Sequence, residues 1–204
     1  MDISMTRTST QPKLFDSPTQ LPLGLLYKPD FVSLAEETAL LKVLKRLPLQ
    51  QAKYREYRAK RRIVGFGWKY DYRSGHIIPG ESLPEFFSPV VRKIAKWLDI
   101  PRAHIVEALV SEYQPGAGIG WHVDREKFEH VVGLSLGGWC TMRWRPLATV
   151  QSPDFAQNEQ KRISLELEPR SLYVMQNEIR WQWQHSIPHT KTHRFSITFR
   201  TLSH

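Results

Sequence analysis

His122-Val123-Asp124 sets an imidazole and a carboxylate two positions apart. On an extended strand, side chains two apart share a face, so both can reach one ion. With a histidine from elsewhere they form a two-histidine, one-carboxylate set, which leaves coordination positions open and suits non-haem Fe(II). H-x-D by itself is common, and its ordinary meaning is a surface His-Asp pair. The candidates for the third ligand are His130, His185, His189 and His193. His130 falls in a charged turn, and His189 and His193 flank the polar loop Thr190-Lys191-Thr192. His185 ends the alternating run Trp181-Gln182-Trp183-Gln184 and is the choice.

Nine residues further on, Arg194-Phe195-Ser196-Ile197-Thr198-Phe199-Arg200 alternates strictly. Phe195, Ile197 and Phe199 make one face, and the other is polar and bounded by two arginines. A surface arginine at a strand end is the plain alternative for Arg194. A dicarboxylate held on iron by one end, however, must have its far carboxylate neutralised. An arginine fork does this bidentately, whereas a buried unpaired carboxylate costs several kcal/mol. Tyr113 can add a hydroxyl. Iron, a small dicarboxylate and fixed arginines describe an oxygenase.

These residues need rigid elements. From residue 104 the apolar period is two, and strands are expected over 105–113, 121–124, 131–137, 140–145, 162–168, 171–176, 181–187 and 194–200. About eight short strands separated by turns make a sandwich or barrel. Upstream, Ser33-Leu34-Ala35-Glu36 is a capping box, and Leu34, Leu41, Leu44 and Leu47 predict a helix over 34–47 that Pro48 ends. Pro89 and the stripe Val90, Val91, Ile94, Trp97, Leu98 predict a second over 88–98. Both helices are expected on one sheet. Phe66, Trp68, Tyr70 and Tyr72 alternate as a strand with an aromatic face.

The 204 residues suit one domain, expected over 21–204, after a polar tail over 1–20. Cys140 is alone, so no intrachain disulfide forms. No run approaches a membrane helix and no secretory h-region is present, so the expectation is a soluble, cytoplasmic monomer. The net charge is +9, with Lys53, Arg55, Arg58, Lys60, Arg61 and Arg62 clustered. A solvated basic face and a polyanion contact are the two meanings of that cluster. In the tail, Gln11-Pro12-Lys13-Leu14-Phe15 resembles the Gln-x-x-Leu-Phe motif with which bacterial DNA-repair proteins dock on the replication sliding clamp. The alternative is an incidental apolar pair.

Several segments together resemble the AlkB family of Fe(II)/2-oxoglutarate dioxygenases. They are Tyr113-Gln114-Pro115-Gly116-Ala117-Gly118-Ile119, His122-Val123-Asp124, Leu134-Ser135-Leu136-Gly137, Ser171-Leu172-Tyr173-Val174-Met175, Arg180 with His185, and Arg194 through Arg200. The N-terminal half matches only loosely. The resemblance implies a double-stranded β-helix (jelly-roll) with flanking helices and a nucleotide-recognition lid. It implies that His122, Asp124 and His185 hold iron, that Arg194 and Tyr113 bind the far carboxylate of 2-oxoglutarate, and that Arg200 orients the carboxylate beside the keto group. O2 would be the third reactant, and succinate and CO2 the co-products. Two positions depart from the family pattern: Ser111 and Ser196 stand where an asparagine is common, which bears on co-substrate affinity. Trp68 and Tyr70 are the lid candidates for stacking an extruded base, and Glu126 for a base edge. Core packing of the rings and a solvated turn carboxylate are the alternatives. Three readings follow: demethylation of alkylated DNA or RNA bases, a tRNA-modifying hydroxylase of the same family, and a non-catalytic nucleic-acid-binding module on this fold.

Overall fold

The computed structural model describes residues 22–54, 57–71, 76–147 and 161–202. The tail with Gln11, Leu14 and Phe15, together with Arg55, Tyr72 and Gly75, lies outside the described residues. Two antiparallel sheets face each other. The larger has the order β1 (Leu25–Lys28), β11 (Leu172–Met175), β8 (Phe128–Leu136), β13 (Arg194–Leu202), β6 (Ile105–Tyr113), β3 (Tyr57–Gly67), β2 (Gln50–Tyr54). The smaller has the order β10 (Ile163–Leu167), β9 (Cys140–Pro146), β12 (Trp183–Ile187), β7 (Ile119–His122). A separate hairpin joins β4 (Lys69–Asp71) to β5 (His76–Ile78). This is the expected double-stranded β-helix.

Strand alternation divides the core in two. Ala108, Val110, Leu134, Leu136, Phe195, Ile197 and Phe199 face the helices α1 (Leu34–Leu44) and α2 (Ser88–Leu98), where Leu44, Phe87 and Ile94 are fully buried. Tyr113, Val131, Met142, Trp144, Tyr173 and Ile187 fill the space between the sheets. Both helices thus cover the larger sheet, as expected. The capping box forms: Glu36 N–H donates to Ser33 Oγ (3.2 Å) and Ser33 N–H to Glu36 Oε2 (2.7 Å). The helix is shorter than its leucine spacing suggests and buries Leu40 and Leu44, while Leu34 is exposed. Among the described residues, no helix is long and apolar enough to cross a membrane.

Three expected strands differ. β7 ends at His122, so Asp124 lies in the following loop and not on one strand face with His122. The start of the expected 181–187 strand is instead the end of a short helix, α3 (Asn177–Trp181). Asn177 enters it at φ +52°, a left-handed conformation that asparagine tolerates. The aromatic strand breaks at Gly67, with φ +82°. A Cβ there would sit 2.1 Å from the Val106 carbonyl oxygen, so only glycine lets β3 turn against β6. Phe66 consequently packs edge-on to Phe86 and Phe87 in the core, while Trp68 falls in the bend.

A candidate metal and co-substrate site

β7 and β12 pair with His122 directly opposite His185, which brings the rings to 4.2 Å between centroids. Asp124 joins from the loop, and one ligand atom from each of the three lies within 4.8 Å of the others. His122 Nδ1–H donates to the Gly120 carbonyl (2.9 Å), which leaves Nε2 as a lone-pair donor. Asp124 Oδ1 accepts from Arg200 Nη2 (2.7 Å), and Oδ2 lies 3.3 Å from His185 Nε2. One carboxylate oxygen is therefore anchored and the other faces the imidazoles. Burial pushes His185 down to about 3 and lowers His122, in both cases against the pull of Asp124. Burial would raise the Asp124 carboxyl, but Arg200 and the two histidines hold it well below the usual carboxylate range. Near neutral pH the set is two neutral imidazoles and one carboxylate, the protonation state that binds a divalent metal.

The loop geometry that the sequence pattern missed is made by Arg180. This arginine of α3 is 2% exposed. It donates to the Phe128 carbonyl (3.1 Å and 2.6 Å), to the Asp124 carbonyl (3.4 Å) and to the Arg125 carbonyl. A guanidinium fork thus satisfies the carbonyls of the loop and fixes the turn that returns Asp124 to the histidines.

The second half of the site lies along β13. Arg194 is fully buried and pairs in register with Tyr113, its guanidinium carbon 5.3 Å from the ring centroid. Its Nε donates to Ser135 Oγ (3.0 Å), but Nη1 and Nη2 are buried with no hydrogen-bond partner. A buried guanidinium with two unmet donors is costly unless an anion completes it. Ser196 lies in register between Ser111 and Ser135, and all three are buried. Their row of hydroxyls makes a polar floor beside Arg194. The unmet donors, the hydroxyl floor and the neighbouring triad fit a small dicarboxylate together with a metal.

Other members of the site were given no role there from sequence. Glu107 stands opposite Arg200 in the sheet and lies 3.2 Å from its Nη1. Burial raises the Glu107 carboxyl against the opposing pull of Arg200. Tyr173 lies over Gly133, where a Cβ would come within 2.1 Å of its ring. Burial and Asp124 both raise its phenol, and Arg194 opposes them. Arg61 of β3 has a buried Nε without a hydrogen-bond partner, and its charge helps lower His122. Alternation could have flagged Ser135, because Leu134 and Leu136 face the helices. Nothing local marks Glu107, whose role depends on register.

The expected substrate residues lie on three separate segments. Glu126 is exposed in the turn after Asp124. Tyr70 pairs with Ile77 in the β4–β5 hairpin. Trp68 lines a cavity of about 500 Å³ with Leu83, Val91, Arg102 and Val106, which shares no residue with the triad.

This fold and this site define a class. The chain belongs to the 2OG-Fe(II) oxygenase superfamily, which it matches over residues 24–200. That superfamily is named for Fe(II) and 2-oxoglutarate, which the triad and the unmet donors of Arg194 fit. Within that class the chain resembles proteins named for the AlkB family. It is 30% identical over 194 residues to the Arabidopsis thaliana "Alkylated DNA repair protein ALKBH8 homolog", covering 87% of this chain and 54% of the relative. It is 31% identical over 176 residues to the Mus musculus "tRNA (carboxymethyluridine(34)-5-O)-methyltransferase ALKBH8", covering 82% of this chain and 24% of the relative. The chain thus spans about half of the first relative and a quarter of the second. The fold also matches "The structure of OsALKBH1", with a TM-score of 0.67 at 16% identity over 87% of this chain and 96% of the other.

Proposed function

We propose that the protein oxidatively demethylates alkylated nucleobases in DNA or RNA, as a repair enzyme of the cytoplasm. Iron with 2-oxoglutarate and O2 supplies the oxidant for a substrate C–H bond, with succinate and CO2 as co-products. An N-methyl group hydroxylated in this way is lost as formaldehyde. His122, Asp124 and His185 hold the metal, with the tautomer of His122 fixed by Gly120 and Asp124 fixed by Arg200 and, through the loop, by Arg180. Arg194 grips the far carboxylate of 2-oxoglutarate bidentately, beside Tyr113 and over Ser196. Arg200 serves the keto-side carboxylate through the edge it does not give to Asp124 and Glu107. Trp68 and Tyr70 on the lid and Glu126 on the ligand loop are assigned to the substrate strand.

The observation that carries the chemistry is the buried Arg194 fork with two unmet donors beside the triad. The nucleic-acid substrate is supported by the likeness to a relative named as an alkylated DNA repair protein and by the net charge of +9. The test is succinate and formaldehyde release against a panel of methylated DNA and RNA oligonucleotides. Release of both with at least one methylated oligonucleotide, and of no formaldehyde with its unmethylated twin, is the expected result. Succinate without formaldehyde on every member would sink demethylation.

A second reading, hydroxylation of a modified tRNA base, is favoured by the likeness to a relative named for a tRNA carboxymethyluridine. The same panel separates the two readings if it carries a modified tRNA anticodon stem. The tail motif at Gln11, Leu14 and Phe15 is assigned to a sliding clamp on its residue pattern alone. Deleting residues 11–15 should abolish clamp binding and leave activity on short oligonucleotides intact.

A further inference from the structure

The run Trp181-Gln182-Trp183-Gln184 holds two tryptophans that the site does not use. Trp183, at the start of β12, packs against the core between the sheets, and its Nε1–H donates to Glu178 Oε1 (3.1 Å). Trp181, the last residue of α3, is 42% exposed. An indole left in water forgoes the stabilisation that burial would give it. The ring is nonetheless held in place. The guanidinium carbon of Arg180 lies 4.3 Å from its centroid, a cation–π contact with a buried arginine. The same guanidinium donates to the carbonyls of Asp124, Arg125 and Phe128. Trp181 is thus one guanidinium away from the backbone of a metal ligand.

These surroundings select an occupant. Covering Arg180 takes one face of the indole and leaves the rest of the ring to solvent. The loop that shares Arg180 with it exposes Arg125, Glu126 and Lys127, and Gln182 beside the ring is exposed as well. Apolar protein partners dock on contiguous apolar patches, and here such a partner would have to bury those polar side chains. A nucleobase offers a flat π face to the ring and keeps its polar edge and charged backbone in water. The net charge of +9 also suits a polyanion.

Resting on the nucleic-acid reading above, we infer that Trp181 is a stacking platform for an unpaired base that flanks the target nucleotide. Arg180 presets the ring, so little side-chain freedom is lost when the base arrives. Every base has a π face, so the contact adds affinity and fixes the path of the strand without choosing a sequence.

The experiment is fluorescence anisotropy on wild-type protein, Trp181→Ala and Trp181→Phe across a salt series. The probes are labelled single-stranded DNA and RNA of about 12 nucleotides with one N-methylated adenine at the centre. Each is made in three forms: intact, or with the bases on one side or on the other replaced by abasic sites. Trp181→Ala should bind the intact strands roughly tenfold more weakly. Stripping the bases on one side should cost the wild type a similar factor and bring it level with Trp181→Ala, which loses nothing further. Trp181→Phe should keep most of the affinity. The slope of log K against log salt should be the same in all three proteins, because no phosphate contact is lost. Wild-type affinity of Trp181→Ala for the intact strands would overturn the inference. So would an equal loss on all three forms, the mark of an effect passed through Arg180 to the ligand loop. Either result leaves the proposed function standing, whereas a wild-type protein that binds none of the strands overturns both.

Discussion

The two ends of β13 carry two arginines on one face, Arg194 fully buried and Arg200 mostly so, and use them in opposite ways. The terminal nitrogens of Arg200 are met from both sides, by Asp124 and by Glu107, and its Nε alone is left without a hydrogen-bond partner. Arg194 has a serine on its Nε and two donors that the described protein leaves unmet. A buried guanidinium whose two terminal nitrogens are both met is part of the framework, and one whose two terminal nitrogens are both unmet is a receptor for something brought in. One strand therefore holds both a structural clamp on the metal ligand and an anion seat, six residues apart.

Exchanging the arginines for methionine should break this symmetry. Arg200→Met removes the shared partner of two buried carboxylates and should cost about 3–5 kcal/mol in the metal-free protein, read as a lower urea midpoint, together with loss of metal binding. Arg194→Met removes an unsatisfied charge, so the metal-free protein should be as stable as wild type or more so. Equal destabilisation by both would show that the donors of Arg194 are met after all.

A smaller effect is expected at Arg180. Arg180→Met leaves three loop carbonyls without their donor, which at about 1 kcal/mol per lost hydrogen bond gives roughly 2–3 kcal/mol. Metal affinity should fall while Arg194-dependent binding of a dicarboxylate persists. The measurement is metal titration alongside thermal shift with 2-oxoglutarate. Unchanged metal affinity would free the loop from Arg180.

The smallest effect is a pH dependence. Folding depresses His185 to about 3 and lowers His122, whereas the unfolded chain protonates histidine near 6.5. The unfolded state thus binds more protons below about 6.5, and stability falls as pH drops from there toward 3. Between pH 7.5 and 5.5 the metal-free protein should lose roughly 1 kcal/mol through His185, and His185→Gln should lose less. Identical pH profiles would show that His185 is not held neutral by burial.

Period-two alternation was enough to place Arg194, Ser196 and Arg200 on one face of β13 and Phe195, Ile197 and Phe199 on the other. The capping box located α1, and the change of period after residue 104 located the sheets. Other features depended on contacts far apart in sequence. Asp124 meets the histidines from a loop because Arg180, 56 positions away, holds that loop. α3 was masked by tryptophans that alternate as a strand would. Glu107 and Tyr173 enter the site only through the register of β6 against β13 and of β11 against β8. Trp68 looked like part of a continuous aromatic strand, and the Gly67 turn takes it elsewhere.

The central claim is that Arg194 waits for the far carboxylate of 2-oxoglutarate. It is tested most directly by anaerobic titration of 2-oxoglutarate into Fe(II)-loaded protein, followed by the visible charge-transfer band of the chelate. Wild-type protein should develop the band, Asp124→Ala should not, and Arg194→Met should need at least about 100-fold more 2-oxoglutarate, the loss of roughly 3 kcal/mol of charge-assisted binding. A wild-type protein without the band, or an Arg194→Met variant that saturates at the wild-type concentration, would contradict it.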